Sequence, residues 1–69
     1  MNLKINGENK TVSGDQITVT ALLKDQNVDM PDMVTVELNG EIIDRDAFDT
    51  TSIKEGDAVE FLYFMGGGE

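Results

Sequence analysis

The chain of 69 residues carries 14 acidic and 5 basic side chains, a formal net charge of −9, and that length holds a single domain. With neither Cys nor His, it lacks a disulfide framework, a thiolate metal site, the commonest general base and the commonest transition-metal ligand. Hydrophobic residues at 39% are enough for one small core, and the excess negative charge disfavours nucleic-acid backbones and favours partners with basic surfaces.

Met1 to Asn6 alternates apolar and polar residues, which predicts a half-buried strand with Met1, Leu3 and Ile5 facing inward. Gly7-Glu8-Asn9 reads as a turn and Lys10-Thr11-Val12 as a short return strand, after which Ser13-Gly14-Asp15 breaks the pattern. Thr18 is placed to cap a helix whose apolar stripe is Val19, Leu22 and Leu23. That helix should end near Asn27, with a loop over Val28-Asp29-Met30-Pro31-Asp32. Val34, Val36 and Leu38 define the next strand, Asn39-Gly40 a tight hairpin turn, and Glu41-Ile42-Ile43 its partner. Asp44 to Phe48 reads as a helical turn that buries Phe48, and Ile53 as an inward anchor ahead of the turn Glu55-Gly56-Asp57. Ala58 to Met65, rich in aromatic and branched residues, is the last strand.

One helix among about five strands implies an α+β roll in which a mixed sheet packs on a single helix. The first and last strands should be parallel and central, because the helix lies on the crossover between the sheet's halves. Residues 1–65 form the domain, and 66–69 a flexible glycine-rich tail. No apolar run reaches the length of a membrane span or a signal-peptide core, so a cytoplasmic protein without catalytic equipment of its own is expected.

The candidate chemistries narrow quickly. Asp44, Asp46 and Asp49 lack the spaced oxygen ligands and mid-loop glycine of a calcium loop, and read as solvated surface. Asp15, Glu55 and Asp57 flank turns, where carboxylates commonly stabilise the backbone, and a roll of this size has little interior left for a catalytic pocket. Gly66-Gly67-Gly68 cannot cradle a phosphate, since only Glu69 follows where a helix would be needed. The tail is therefore either a frayed end or a segment whose missing side chains let it enter a narrow slot in a partner. Three extended residues reach about 10 Å, enough to carry a terminal carboxylate into another protein's active site.

In order along the chain, Ile17 to Leu23 opening the helix, Val36 to Arg45 across the hairpin, and Glu55-Gly56-Asp57 leading through Phe61 to Met65 into Gly66-Gly67-Gly68 resemble the ubiquitin-like β-grasp. Within that fold they are closest to the ThiS/MoaD-type sulfur carriers, on the ThiS branch. The resemblance spans essentially the whole chain. It implies a carrier rather than an enzyme, with no bound cofactor. A ThiF/MoeB-like adenylyltransferase would use ATP to activate the Gly68 carboxylate. A sulfur donor enzyme would then displace AMP to leave a thiocarboxylate, and thiazole synthase or another sulfur-accepting enzyme would take the sulfur. Gly67 matches the other half of the family's diglycine, with Gly66 ahead of it.

Glu69 departs from the pattern, since such carriers usually stop at the diglycine. While Glu69 is attached, the Gly68 carbonyl is an amide and cannot be adenylated, so either a peptidase removes Glu69, as the resemblance suggests, with a metallopeptidase the candidate, or the encoded form is inactive. Carriers for molybdopterin, for cysteine or homocysteine, or for a specialised metabolite stay open beside the thiamine thiazole. So do a protein modifier joined through Gly68 and a ubiquitin-like module that binds without covalent chemistry. If Val59, Phe61 and Tyr63 face the core, then Glu60, Leu62 and Phe64 face outward, making Leu62 and Phe64 an apolar patch for partner docking beside the tail.

Overall fold

A computed structural model describes residues 1–28 and 33–63 of the chain. In chain order they form β1 (Asn2–Ile5), β2 (Glu8–Thr11), β3 (Gln16–Thr18), α1 (Val19–Asp25), β4 (Val34–Leu38), β5 (Glu41–Ile43), a 3₁₀ turn (Arg45–Ala47), β6 (Ser52–Lys54) and β7 (Ala58–Tyr63). Five strands make a mixed sheet in the order β2-β1-β7-β4-β5, and β3 pairs with β6 in a separate ribbon. The expected parallel pairing of first and last strands is present, with Lys4 opposite Ala58 and Ile5 opposite Val59. β7 is the central strand, antiparallel to β4 on its other side.

Alternation along each strand decides what enters the core. Leu3 and Ile5 from β1, Val34 and Val36 from β4, and Val59 and Phe61 from β7 are buried on one face of the sheet. Val19, Leu22 and Leu23, one stripe of α1, join them in a single cluster with Val12, Phe48 and Ile53. The 3₁₀ turn does bury Phe48, which is 7% exposed.

Seven residues are too few for a helix to persist alone, and the surroundings of α1 supply what propensity does not. At its start, the Thr18 hydroxyl accepts from the Ala21 amide at 3.1 Å, a cap worth about 1 kcal/mol. The Val19 and Thr20 amides donate to the carbonyls of Thr51 and Phe48 at 3.2 and 3.1 Å. Three amides without intrahelical partners are thereby satisfied. At the other end, Asn27 takes a φ of +57°, its amide donates to the Lys24 carbonyl, and the Val28 amide donates to the Leu23 carbonyl. This is the paired closure by which a left-handed residue ends a helix. The helix thus stops where the sequence placed its end.

Two elements differ from expectation. The first hairpin turns at Asn6-Gly7, with φ of +52° and +84°, rather than over Gly7-Glu8-Asn9. Ile5 then faces Glu8 directly, because a type I′ turn needs two positive φ values and Asn-Gly supplies both. β3 and β6 pair as a ribbon where the sequence predicts only a helix cap and a lone inward anchor. Each strand has three residues, and the ribbon centres on the single pair Ile17–Ile53.

Candidate functional site

The tail is approached through β7, and the two Asn-Gly turns hold this strand by their side chains. Where β1 ends at its own turn, the Asn6 carboxamide oxygen accepts from the Phe61 amide at 2.9 Å, replacing a strand partner. The Asn6 amide also donates to the Val59 carbonyl. At the start of β7, the Asn39 carboxamide oxygen accepts from the Ala58 amide at 2.9 Å, and its nitrogen donates to Asp57 Oδ1 at 3.1 Å. Asp57 Oδ2 in turn accepts from the Lys54 amide at 3.0 Å. The strand that leads to the tail is therefore fixed by backbone pairing on both sides and by two carboxamides. Sequence reasoning assigned these two residues only to turns (Asn39) or to the end of a strand (Asn6). Both are expected to act twice, so Asn39→Gly should cost about 1 kcal/mol for the lost side-chain bonds. Asn39→Ala should cost more, since alanine at φ +52° has neither the freedom of glycine nor the local side-chain bonding that eases asparagine there. Urea unfolding of the two variants separates the contributions.

On β7, Val59 and Phe61 point inward, and Leu62 is 45% exposed on the opposite face, across from Thr35. Phe64, Gly66, Gly67, Gly68 and Glu69 lie outside the described residues, as does the loop 29–32. Ile42, 66% exposed on β5, adds an apolar side chain that the sequence reading left in a plain hairpin strand. The signal was the adjacent pair Ile42-Ile43. Neighbouring strand residues cannot share a face, and Ile43 packs against the core.

Among the described residues no cluster of His, Cys, Asp or Glu could hold a metal ion, and no helix is long and apolar enough to cross a membrane. A shallow recess of about 200 Å³ lies between the first hairpin and the end of α1, lined by Ile5, Asn6, Glu8, Lys10, Gln26, Val28 and Phe61. It falls below the usual range for small-molecule sites. What the arrangement offers is a well-anchored strand, an exposed face and the chain end beyond it.

Known proteins match the whole of this arrangement. The model of the ThiS family matches residues 3–68. The crystal structure of the thiamine biosynthesis protein ThiS from Geobacter metallireducens superposes with a TM-score of 0.90 at 58% identity, covering 99% of this chain and 100% of that one. A solution NMR structure of a thiamine biosynthesis protein from the same organism gives a TM-score of 0.82 at 57% identity, covering 100% of this chain and 90% of the other. The thiazole synthase of Paramagnetospirillum magneticum is 40% identical over 68 residues, which are 99% of this chain and only 20% of that protein. This chain thus spans about a fifth of that relative's length. With its five-stranded mixed sheet, single helix and match through residue 68, the chain belongs to the ThiS family and has its β-grasp fold.

Proposed function

We propose that the protein is a sulfur carrier of thiamine biosynthesis whose working group is the carboxyl of Gly68, exposed once Glu69 has been removed. The observation that carries this reading is the extent of the family match, which runs through Gly66, Gly67 and Gly68 and stops before Glu69. An adenylyltransferase of the ThiF type activates the carboxylate. The Gly68 carboxylate oxygen attacks the α-phosphorus of ATP, pyrophosphate leaves, and an acyl-adenylate results. Sulfide delivered by a sulfur donor attacks the acyl carbon, AMP departs, and the thiocarboxylate remains. The carrier's own contribution is placement, since a fixed strand ending in a slender tail delivers one reactive atom to successive active sites. Leu62 and Phe64 serve as the docking patch beside that tail.

The thiazole synthase of Paramagnetospirillum magneticum contains a segment similar to nearly all of this chain. A carrier-like unit and a thiazole synthase joined in one polypeptide support thiazole synthase as the partner that takes the sulfur here. The test is intact-mass analysis of two forms, one ending at Gly68 and one retaining Glu69, each incubated with a ThiF-type adenylyltransferase, ATP and sulfide. The form ending at Gly68 should gain the mass of one oxygen-for-sulfur exchange, and the form with Glu69 should stay unchanged. No gain in the Gly68 form overturns the carrier reading. A gain in the Glu69 form overturns the need for processing.

A further inference from the structure

Both turns that hold β7 are an asparagine followed by glycine, Asn6-Gly7 and Asn39-Gly40, and that pair of residues has a reaction of its own. The glycine amide nitrogen attacks the asparagine Cγ and closes a five-membered succinimide. The carboxamide nitrogen leaves as ammonia, taking the amide proton with it. Water then opens the ring at one carbonyl to give an aspartate, or at the other to give an isoaspartate. Glycine offers the least hindered nitrogen, having no side chain to shield it. The other asparagines, Asn2, Asn9 and Asn27, precede Leu3, Lys10 and Val28. At Gly7 and Gly40 the space that a β-carbon would take is open, and both asparagines are exposed. Solvent therefore reaches both turns.

The two sites differ in what the carboxamide nitrogen does. Among the described residues Asn6 is held by its side-chain oxygen alone, which accepts from the Phe61 amide at 2.9 Å. An aspartate keeps that oxygen and that bond. Asn39 is held at both atoms, its oxygen accepting from the Ala58 amide at 2.9 Å and its nitrogen donating to Asp57 Oδ1 at 3.1 Å. Conversion to aspartate replaces this donor with a second carboxylate oxygen facing the first, an arrangement that like charges oppose. Asp57 cannot turn away freely, because its Oδ2 accepts from the Lys54 amide at 3.0 Å. Isoaspartate would add a methylene to the main chain where the Asn39 amide meets the Ala58 carbonyl at 2.7 Å.

We propose that Asn39-Gly40 is a site of self-modification, at which loss of the carboxamide releases the start of β7. The two bonds of that carboxamide set the pace, since they commit it to β7 and Asp57 until the turn opens, and the rate follows the opened population. Asn6-Gly7 is the internal control. Both sites have an aliphatic residue before the asparagine and a glutamate after the glycine, so their intrinsic reactivities match and the fold alone separates them. The reaction needs only water and is independent of any sulfur chemistry at the tail.

Peptide mapping by mass spectrometry, on folded protein held in mildly alkaline buffer, follows each site. Amide-to-acid conversion should appear at Asn6 and Asn39 while Asn2, Asn9 and Asn27 stay intact. Asn39 should convert about fivefold more slowly than Asn6, the worth of one side-chain hydrogen bond, and the gap should close in urea that unfolds the chain. An unconverted Asn39 after Asn6 has reacted completely would overturn the site. Equal rates in the folded protein would overturn the control by the carboxamide bonds. The consequence is read on direct variants: N39D should lower the melting midpoint by about 5–10 °C, and N6D should stay within about 3 °C of the parent. Adding D57N to N39D should recover most of the loss, because a carboxamide at position 57 can donate to the new carboxylate and still accept from the Lys54 amide. Equal losses in N39D and N6D would reduce the effect to added charge and overturn the release of β7, as would the absence of recovery with D57N.

Discussion

Leu22→Ala is expected to remove a large part of the protein's stability, about 2–5 kcal/mol. Leu22 is fully buried at the centre of the helix stripe. A chain of this length has a total stability on the order of 3–10 kcal/mol. It has no disulfide to raise that figure, since it contains no cysteine. Leu62→Ala gives the contrasting result, a change within about 0.5 kcal/mol, because that side chain stands on the open face of β7. Urea melts followed by circular dichroism check both. Comparable losses at the two positions would mean that the assigned faces of the sheet are wrong.

The second large effect concerns chemistry and spares the fold. A chain ending at Gly66 is expected to yield no thiocarboxylate at all, while its melting midpoint stays within about a degree of the parent's. Among the described residues every core residue lies at or before Phe61, and residues 67–69 are two glycines and a glutamate, with no apolar side chain to lose. Without the last two glycines the carboxyl sits about 7 Å short of its former position, and a displacement of that size ends a reaction that depends on placement. Mass spectrometry after incubation with adenylyltransferase, ATP and sulfide reads the product, and a thermal melt reads the fold. Conversion at the parent's rate would show that the diglycine is dispensable and return the molecule to the class of non-covalent binding modules.

The elements legible in the sequence were those with a repeating physical pattern. The helix announced itself through Val19, Leu22 and Leu23 behind a capping threonine. β4 did so through Val34, Val36 and Leu38, and the inward face of β7 through Val59 and Phe61. β2 was displaced because all four of its residues are exposed, so no alternation marked its start, and the Asn6-Gly7 turn went unread although Asn39-Gly40 was not. β3 and β6 were missed because strands of three residues with one inward side chain apiece have no period to detect. The glycine tail was legible as an oddity of composition, while the bond between Asn39 and Asp57 was not. Those residues are 18 positions apart, and only the pairing of β4 with β7 brings them together.

The order β2-β1-β7-β4-β5 also governs how the molecule comes into being. Take away β7 and the sheet falls into two hairpins that share no strand boundary, each marginal on its own. A chain that has reached only residue 57 accordingly lacks the strand that joins Leu3 and Ile5 of β1 to Val34 and Val36 of β4. The polypeptide waits for its final strand and then closes in one cooperative step, with the longest-range pairing in the sequence among the last to form.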